Sequence, residues 1–326
     1  MSITVLSLRP RADFERADAL PPSSIDVIYR SPADADLQTV IREADGLIIP
    51  AVGVPLPASI FAGTRLRLVQ ITGAGLDRLT RPALEAAGIP VANVPGGSNR
   101  AVAEHAVATA AVLMRRFAWA DAEIKQGNYV AFRARMLADN LSGLDGLLAG
   151  VVGFGTIGVA VATAFRNMGC RICYHDPAPR DPAAARSLEA EAMPLDRLLE
   201  ESDIVSLHVP LLPATTGLIS DRELGLMKPG AALIQASRGG IVDEGALARA
   251  LERGHLGGAS VDVYGTEPPP ADHPLLALRG DGARRLLLTP HIAGVTRQSA
   301  TFLCRSAWQN LVRVLVDGAP PLNRAY

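Results

Sequence analysis

The sequence has little net charge of either sign. Its 326 residues contain 32 Lys and Arg against 33 Asp and Glu, which leaves a formal net charge of -1 at pH 7. A protein that binds nucleic acid or an anionic membrane surface through broad electrostatic contact usually carries a basic excess. We therefore expect no nucleic-acid and no membrane partner, and small-molecule chemistry is the better hypothesis.

Long apolar runs are also missing. No stretch approaches the ~18 unbroken apolar residues of a membrane-spanning helix. The opening residues, MSITVLSLR, have an apolar core that is too short for a signal peptide, and no basic segment precedes it. We expect neither a membrane span nor a secretion signal.

Cysteine is scarce, with only Cys170, Cys173 and Cys304 in the chain. The pair Cys170-x-x-Cys173 has the spacing of half a zinc site, but no second Cys or His pair follows at ligand spacing. We expect no metal, and so few cysteines favour a reducing cytoplasm.

The chain alternates short β-rich runs with helical stretches. Its length favours two domains, and its 48% hydrophobic content can fill a core in each. An Ala-rich segment at residues 99–126 predicts one long helix that opens the second domain and is a candidate subunit contact. Strands alternating with helices predict an α/β fold with parallel sheets. The predicted strands are residues 3–8, 25–29, 46–49, 66–71, 91–94, 147–152, 171–176, 204–209, 231–236, 259–263 and 286–289, and a last helix is predicted at 296–316.

A Gly-x-Gly-x-x-Gly motif directly follows the strand predicted at 147–152. Gly153 permits a tight turn, Gly155 lets the backbone approach a pyrophosphate, and Gly158 lets the helix pack closely on the strand. The next strand ends in Asp176, where a carboxylate can bind ribose hydroxyls and repel a 2'-phosphate. This pattern favours NAD over NADP, although Arg180 nearby opposes that preference. A methyltransferase loop, or Asp176 as a simple turn residue, is the alternative.

Charged side chains follow three further strands. Arg238 lies between Ser237 and a Gly-Gly pair, Asp262 and Glu267 lie at and beyond the next strand end, and His291 follows Thr-Pro. Ligands of open α/β sheets bind at the carboxyl ends of the strands. An arginine there can offer a planar fork to a carboxylate, although taken singly Arg238 is also typical of an ordinary surface residue.

Taken together, these motifs resemble the D-isomer-specific 2-hydroxyacid dehydrogenases over nearly the whole chain. The motifs that carry the resemblance are residues 73–77 (GAGLD), 93–96 (NVPG), 103–105 (AEH), 153–158 (GFGTIG), 208–211 (HVPL), 237–243 (SRGGIVD), 262–264 (DVY) with Glu267-Pro268, and 290–294 (PHIAG).

The resemblance implies the domain organisation. Residues 99–294 would form a Rossmann-type, doubly wound parallel sheet for NAD, and residues 1–98 with 295–326 a smaller flavodoxin-like α/β substrate domain. It also implies a homodimer that interconverts a small 2-oxo acid and its D-2-hydroxy acid.

It further implies the roles of individual residues. His291 would act as the acid–base, Glu267 would hydrogen-bond its other ring nitrogen, and Arg238 would hold the substrate. The backbone N–H groups of Ala74 and Gly75 would bind the substrate carboxylate. The implied cofactor contacts are Gly153, Gly155, Thr156, Ile157, Gly158, Asp176, His208, Pro210, Ala236, Ser237, Arg238, Asp262, His291 and Gly294, with Asp262 beside the nicotinamide carboxamide.

The substrate is less well defined by the sequence. The loop at residues 49–55, which faces the pocket in the family, is small and uncharged, and this disfavours a phosphorylated substrate. Glyoxylate, hydroxypyruvate or pyruvate is the better hypothesis. His175, His255 and His273 are expected at the surface or in loops. An NAD-sensing, corepressor-like interaction protein and a dehydrogenase of another small anion such as phosphite are the alternative functions.

Overall fold

The computed structural model describes residues 3–178, 180 and 182–326. The chain forms two compact units: unit 1 contains the residues up to Ser98 together with Val295–Tyr326, and unit 2 contains Asn99–Gly294. Within the described residues, no helix is both long and apolar enough to cross a bilayer.

Unit 1 is built on a five-stranded parallel sheet. The strands lie in the order β2-β1-β3-β4-β5, and helices cover both faces. This order is that of a flavodoxin-like doubly wound sheet, which confirms the predicted fold class for this part of the chain. The elements are β1 (Ile3–Ser7), α1 (Arg11–Arg16), β2 (Ile25–Tyr29), α2 (Leu37–Glu43), β3 (Gly46–Pro50), a 3₁₀ turn (Ala58–Phe61), β4 (Leu68–Thr72), α3 (Arg81–Ala86) and β5 (Val91–Ala92).

Unit 2 is built on a seven-stranded parallel sheet in the order β12-β11-β10-β9-β6-β7-β8. With β6 counted as the first strand, the sheet has the doubly wound strand order of a Rossmann fold, and β12 is an additional strand at one edge. The connection after β6 leads to β7 on one side of β6, whereas β9 and the strands that follow it lie on the other side. The loop after β6 therefore lies at the topological switch point. The strands are β6 (Leu148–Val152), β7 (Arg171–His175), β8 (Glu191–Ala192), β9 (Ile204–Leu207), β10 (Ala232–Gln235), β11 (Gly258–Val261) and β12 (Leu286–Leu288).

The central strands of unit 2 are apolar because both faces of the sheet are covered. Every residue of β6, β9, β10 and β11 is buried, as expected for parallel strands between two helical layers. The helices are α4 (Asn99–Met114), α5 (Phe117–Lys125), α6 (Tyr129–Ala138), α7 (Thr156–Asn167), α8 (Pro182–Ser187), α9 (Leu195–Glu201), α10 (Asp221–Leu226), α11 (Glu244–Glu252), α12 (Pro274–Ala277) and α13 (Gly280–Arg284).

The long helix predicted at residues 99–126 is wrong in its extent. The chain turns at Arg116, whose φ of +52° is left-handed, and α5 begins at the next residue. The guanidinium of Arg116 lies 5.4 Å from the ring centroid of Trp119 and forms an ion pair with Asp139. These tertiary contacts favour the turn over continued helix, and no local breaker residue announces it.

The last helix, α14 (Arg297–Leu315), returns the chain to unit 1 and confirms the helix predicted at residues 296–316. Thr296 caps it by accepting a hydrogen bond from the Ser299 N–H group (3.1 Å). Trp308 packs with its ring centroid 4.9 Å from that of Phe14 and donates its indole N–H to the Ala19 carbonyl (3.0 Å). Helix α14 therefore completes the core of unit 1.

Candidate active site

The loop after β6 requires glycine at two positions. Gly153 has a φ of +93°, and a Cβ atom there would lie 2.5 Å from the His208 carbonyl oxygen. A Cβ atom at Gly158 would lie 1.9 Å from the carbonyl oxygen of Gly153, so α7 packs directly on the loop. A Cβ atom at Gly155, in contrast, would have no heavy atom within 4 Å. Two glycines close the turn, and the third borders open space.

That open space belongs to a cavity at the N-terminus of α7. Gly155 is the N-cap residue, and Thr156 and Ile157 are the first helical residues, whose N–H groups have no partner within the helix. Such a helix end attracts anions. The cavity of about 450 Å³ is lined by Asn99, Phe154, Gly155, Thr156, Val159, Arg180 and Ala184. The donors at this helix end fit the pyrophosphate of a dinucleotide.

Asp176 lies beside this cavity, one residue past β7. Its Oδ2 accepts hydrogen bonds from the Phe154 N–H group (2.8 Å) and from Arg180 Nε (2.7 Å), and its Oδ1 accepts one from the Ala178 N–H group (3.0 Å). Burial by itself raises the pKa of this carboxyl, but the bonds from Arg180, Ala178 and Phe154 lower it overall. Asp176 is therefore an anion that is hydrogen-bonded to the glycine loop. Arg180, the residue expected to oppose the preference for NAD, is its ion-pair partner.

His208 follows β9 and contacts the same loop. Its Nε2 lies 2.7 Å from the hydroxyl of Ser206, while its Nδ1 is buried with no hydrogen-bond partner. Burial lowers the pKa of His208 to about 3, so the ring is neutral near pH 7. A neutral, half-buried imidazole does not suit acid–base work near pH 7, and its predicted cofactor contact stays a prediction. The remaining predicted cofactor residues are placed as follows: Pro210 is exposed, Ala236 and Gly294 are half-buried, and Ser237 is buried.

Arg238 lies three residues past the end of β10, in a loop organised by Gln235. The Gln235 side chain donates to the Arg238 carbonyl (2.9 Å) and accepts from the Ser237 hydroxyl (2.7 Å). The Arg238 side chain is half-buried, and its Nη1 donates to the Ser237 carbonyl (2.8 Å). Gly239 passes so close to the next loop that a Cβ atom would lie 1.8 Å from the Tyr264 carbonyl oxygen. The loops after β10 and β11 are therefore in contact.

Asp262 follows β11 and holds the turn that carries His291. Its Oδ1 accepts from the Thr289 hydroxyl (2.6 Å) and the Ile292 N–H group (2.8 Å), and its Oδ2 accepts from the Ala293 N–H group (2.8 Å). The His291 N–H group donates to the Asp262 carbonyl (2.8 Å). Asp262 is only 1% exposed, so these bonds satisfy a buried charge. Its predicted contact with a nicotinamide carboxamide stays a prediction.

His291 and Glu267 form a hydrogen-bonded pair at this edge of the sheet. His291 Nδ1 lies 2.8 Å from Glu267 Oε2 and 3.0 Å from Oε1, and Oε1 also accepts from the Tyr264 N–H group (3.0 Å). His291 adopts a φ of +55°, a left-handed conformation that costs a residue with a Cβ atom about 1–2 kcal/mol. The backbone is bent at this position, and the bend presents the imidazole to the carboxylate.

The predicted substrate residues Ala74 and Gly75 belong to unit 1, in the loop after β4. Among the described residues, none accepts a hydrogen bond from the N–H groups of Ala74 and Gly75. The carbonyl groups of this loop, in contrast, are held by hydrogen bonds. Asn93 donates to the Ala74 carbonyl (2.8 Å), and the Val94 N–H group donates to that of Gly73 (2.9 Å). Two free donors on a fixed loop suit a carboxylate.

Two residues that organise these loops had no predicted role. Gln235 lies in a predicted strand, and Tyr264 belongs to a motif of the family resemblance but was given no function of its own. His273 lies in a loop, as one of the two expected alternatives, but not at the surface, because its side chain is 5% exposed and bonded to Glu244. Cys170 and Cys173 are free and buried, and burial raises the pKa of Cys170 to about 11. Within the described residues, no group of three or more His, Cys, Asp or Glu side chains could hold a metal ion.

Comparison with known proteins places this site in a family. The family model described as "D-isomer specific 2-hydroxyacid dehydrogenase, NAD binding domain" matches residues 107–293. The chain belongs to the D-isomer-specific 2-hydroxyacid dehydrogenases. This confirms the predicted family, enzyme class and cofactor: the chain is an NAD-dependent dehydrogenase of 2-hydroxy acids, and the cavity at α7 fits that cofactor.

Individual relatives differ in what they act on. The dehydrogenase is 34% identical over 308 residues to glyoxylate reductase of Korarchaeum cryptofilum, covering 93% of this chain and 86% of that protein. It is 34% identical over 293 residues to D-3-phosphoglycerate dehydrogenase of Mycobacterium tuberculosis, where the match covers 87% of this chain and 53% of that one, about half its length. The holo crystal structure of Rhodotorula graminis D-mandelate dehydrogenase is 26% identical with a TM-score of 0.85, covering 100% of this chain and 98% of that one.

Proposed function

We propose that this dehydrogenase reduces a short, unphosphorylated 2-oxo acid to its D-2-hydroxy acid, with His291 as the proton donor. The observation that carries the proposal is the His291–Glu267 pair, with its 2.8 Å separation, at the strand edge that also carries Arg238. Bound NADH supplies the hydride to the carbonyl carbon. The protein's part is to hold the reactants and to move one proton.

The Glu267 carboxylate would determine which ring nitrogen of His291 keeps its proton and which one exchanges it. Because Nδ1 faces the carboxylate, it carries a proton, and the acid–base proton is held at Nε2. Transfer of that proton to the substrate's carbonyl oxygen leaves a neutral ring that still donates to Glu267. In the reverse direction Nε2 would take the hydroxyl proton, and the carboxylate would stabilise the resulting imidazolium.

Arg238 and the loop after β4 would hold the substrate. A guanidinium can hold the substrate carboxylate and polarise the carbonyl oxygen at once. The unsatisfied N–H groups of Ala74 and Gly75 would donate hydrogen bonds to the carboxylate as well. Both contacts orient the carbonyl carbon, which contributes to the rate by positioning.

The cofactor would be held by the loops of unit 2. The α7 N-terminus, with Gly153, Gly155, Thr156, Ile157 and Gly158, would bind the pyrophosphate, and Asp176 the adenosine ribose. The ordered anion at Asp176 supports NAD over NADP. Further contacts are proposed at the following residues of the strand edge: His208, Pro210, Ala236, Ser237, Arg238, Asp262, His291 and Gly294.

The loop beyond β3 supports a small substrate. The side chains after Pro50 are Ala51, Val52, Gly53 and Val54, and none of them carries a charge. Arg78 lies beneath them, but its guanidinium donates to the Pro50 (3.0 Å) and Val54 (2.9 Å) carbonyls. A phosphorylated substrate would need exposed cations here. Glyoxylate, hydroxypyruvate and pyruvate are the substrates we propose.

We also propose a cytoplasmic homodimer. The segment α5–α6 exposes large apolar side chains, a feature typical of a protein interface. They are Phe117, Ile124, Tyr129, Val130 and Leu137. The three cysteines are free, as in a reducing compartment. Sedimentation equilibrium tests the dimer, which a Val130→Glu substitution should dissociate; a monomeric wild type would contradict it.

The decisive experiment is a spectrophotometric screen of purified protein with NADH or NADPH against 2-oxo acids of increasing size. We expect oxidation of NADH by glyoxylate, hydroxypyruvate or pyruvate, with phosphohydroxypyruvate a poor substrate. Phosphite with NAD is included, since turnover there in place of the 2-oxo acids would replace the proposed reaction. Tight NADH binding with no turnover on any acid would instead favour an NAD-sensing protein.

A further inference from the structure

The loop that carries Glu267 is held by a second carboxylate outside the proposed catalytic set. Glu244 is the first residue of α11, and its Oε1 accepts a hydrogen bond from the Gly265 N–H group (2.8 Å). Gly265 lies two residues before Glu267 and directly after Tyr264, whose N–H group donates to the Glu267 carboxylate. The position of the Glu267 loop therefore depends on where the Glu244 carboxylate lies.

His273 fixes that carboxylate in turn. Its Nε2 lies 2.8 Å from Glu244 Oε2, and its Nδ1 accepts from the Leu275 N–H group (3.3 Å), the cap of α12. Because Nδ1 is an acceptor, the proton sits on Nε2 and is donated to Glu244. The His273 side chain is 5% exposed and that of Glu244 19% exposed, so this bond is largely shielded from water.

Tyr264 joins this pair to the turn of His291. Its ring meets His273 edge-on, with 5.9 Å between centroids and an interplanar angle of 86°. Its hydroxyl donates to the Thr289 carbonyl (2.9 Å), two residues before His291. Burial and the nearby charges of Asp262, Glu267 and Glu244 raise the pKa of Tyr264 to about 12, so the hydroxyl remains a donor.

We propose that Glu244 and His273 are positioning residues for the reaction, acting through the Gly265 backbone to hold Glu267 at hydrogen-bonding distance from His291. The proposal rests on the proposed function, because it needs Glu267 to act on His291 during turnover. Neither residue touches the reacting atoms. Their effect is on the proton carried by His291, and not on the binding of cofactor or substrate.

Two conservative substitutions at His273 separate positioning from helix capping. His273→Gln keeps an N–H group that can reach Glu244 but loses the short acceptor of the cap. His273→Asn keeps the cap acceptor at the Nδ1 position but cannot reach Glu244. Positioning predicts that the Gln variant stays within about 3-fold of wild-type kcat while the Asn variant loses on the order of 10-fold. A purely structural role predicts the reverse order.

A double-substitution cycle tests whether Glu244 acts through Glu267. Glu244→Ala should lower kcat on the order of 10-fold and leave the NADH dissociation constant and the KM of the 2-oxo acid within about 2-fold. In a Glu267→Gln background the same substitution should have no further effect, because there is no carboxylate left to position. Glu252→Ala, an exposed residue at the other end of α11, is the matched control and should resemble the wild type.

The outcomes keep the two proposals apart. A wild type without turnover, or a Glu267→Gln variant as active as the wild type, contradicts the proposed function. A Glu267→Gln variant with reduced activity, combined with an unchanged Glu244→Ala or with additive losses in the double variant, overturns the positioning role alone. Circular dichroism and the melting temperature of each variant show whether it is folded, and His273→Gln tests the proposal even where an Ala variant fails to fold.

Discussion

The left-handed backbone at His291 allows a test that separates the free-energy cost of this conformation from the proposed catalytic role of the imidazole. At a φ of +55°, glycine is unstrained, whereas any residue with a Cβ atom pays about 1–2 kcal/mol. His291→Ala and His291→Gly both remove the imidazole and its bond to Glu267. They differ only in the Cβ atom. Greater freedom of glycine in the unfolded chain offsets about 0.5–1 kcal/mol, so the mid-range values make the Gly variant more stable by about 0.75 kcal/mol.

Calorimetry can resolve this difference. For a domain of the size of unit 2, about 0.75 kcal/mol corresponds to about 1.5–3 °C in melting temperature, and the Gly variant should melt at the higher temperature. NADH turnover should be lost in both variants, while NADH binding should be retained. His255, which has no positive φ, provides the control pair: there the Gly variant should melt below the Ala variant. Equal melting of the two His291 variants, or a more stable Ala variant, would refute the reasoning.

Three further substitutions test other parts of the site and fold. Glu267→Gln removes a charged acceptor worth about 1.5–3 kcal/mol, so kcat should fall roughly 10- to 100-fold with unchanged NADH affinity; stopped-flow binding and steady-state rates check this, and a parallel loss of affinity would contradict it. Asp176→Ala should lower the kcat/KM ratio of NADH to NADPH by about 10-fold or more, since it removes a ribose acceptor and frees Arg180 for a 2'-phosphate; an unchanged ratio would locate the discriminator elsewhere. Glu223 forms the capping box of α10 with Ser220, whose N–H group and hydroxyl lie 3.0 and 2.6 Å from Glu223 Oε2. Burial alone raises the pKa of Glu223, but these bonds and one from Arg222 bring it from 4.5 to about 2. Because the folded pKa is the lower one, this stabilisation is present above pH 4.5 and is lost as the pH falls towards 2. Glu223→Gln should therefore cost about 1–2 kcal/mol in urea unfolding at pH 7, and the difference should shrink below pH 4.5; a pH-independent difference would exclude the ionic cap.

The parts of the site with a local signal were predictable from the sequence. The glycine loop follows a continuous apolar strand, and each glycine corresponds to a distinct backbone requirement that the structure exhibits at Gly153 and Gly158. Strands alternating with helices predicted both parallel sheets. Because parallel strands end at a common edge, topology placed Arg238, Glu267 and His291 in loops that follow three neighbouring strands, and the structure brings Glu267 and His291 together. The approach of Arg238 to that pair stays a prediction.

What the sequence did not reveal are contacts between distant positions. Glu244 and His273 are separated by 29 residues, and the segment around His273, with its prolines and Asp272, has the composition of a solvated loop. This composition does not indicate that the His273 ring is buried. The break at Arg116 and the two-residue strand β8 were missed for the same reason, since pairing and ring contacts made elsewhere in unit 2 determine them.

The turn of His291 shows how the protein tolerates such a strained position. Asp262 accepts three hydrogen bonds from the turn, and bonds to a charged acceptor contribute about 1.5–3 kcal/mol each. Even after the cost of burying the Asp262 carboxylate, they outweigh the ~1–2 kcal/mol of the left-handed backbone. These bonds fix the turn, and in it His291 Nδ1 faces the Glu267 carboxylate. In the proposed reaction, an acid–base group held in this orientation would lose little free energy to reorganisation, which would account for a histidine at a position where glycine is unstrained.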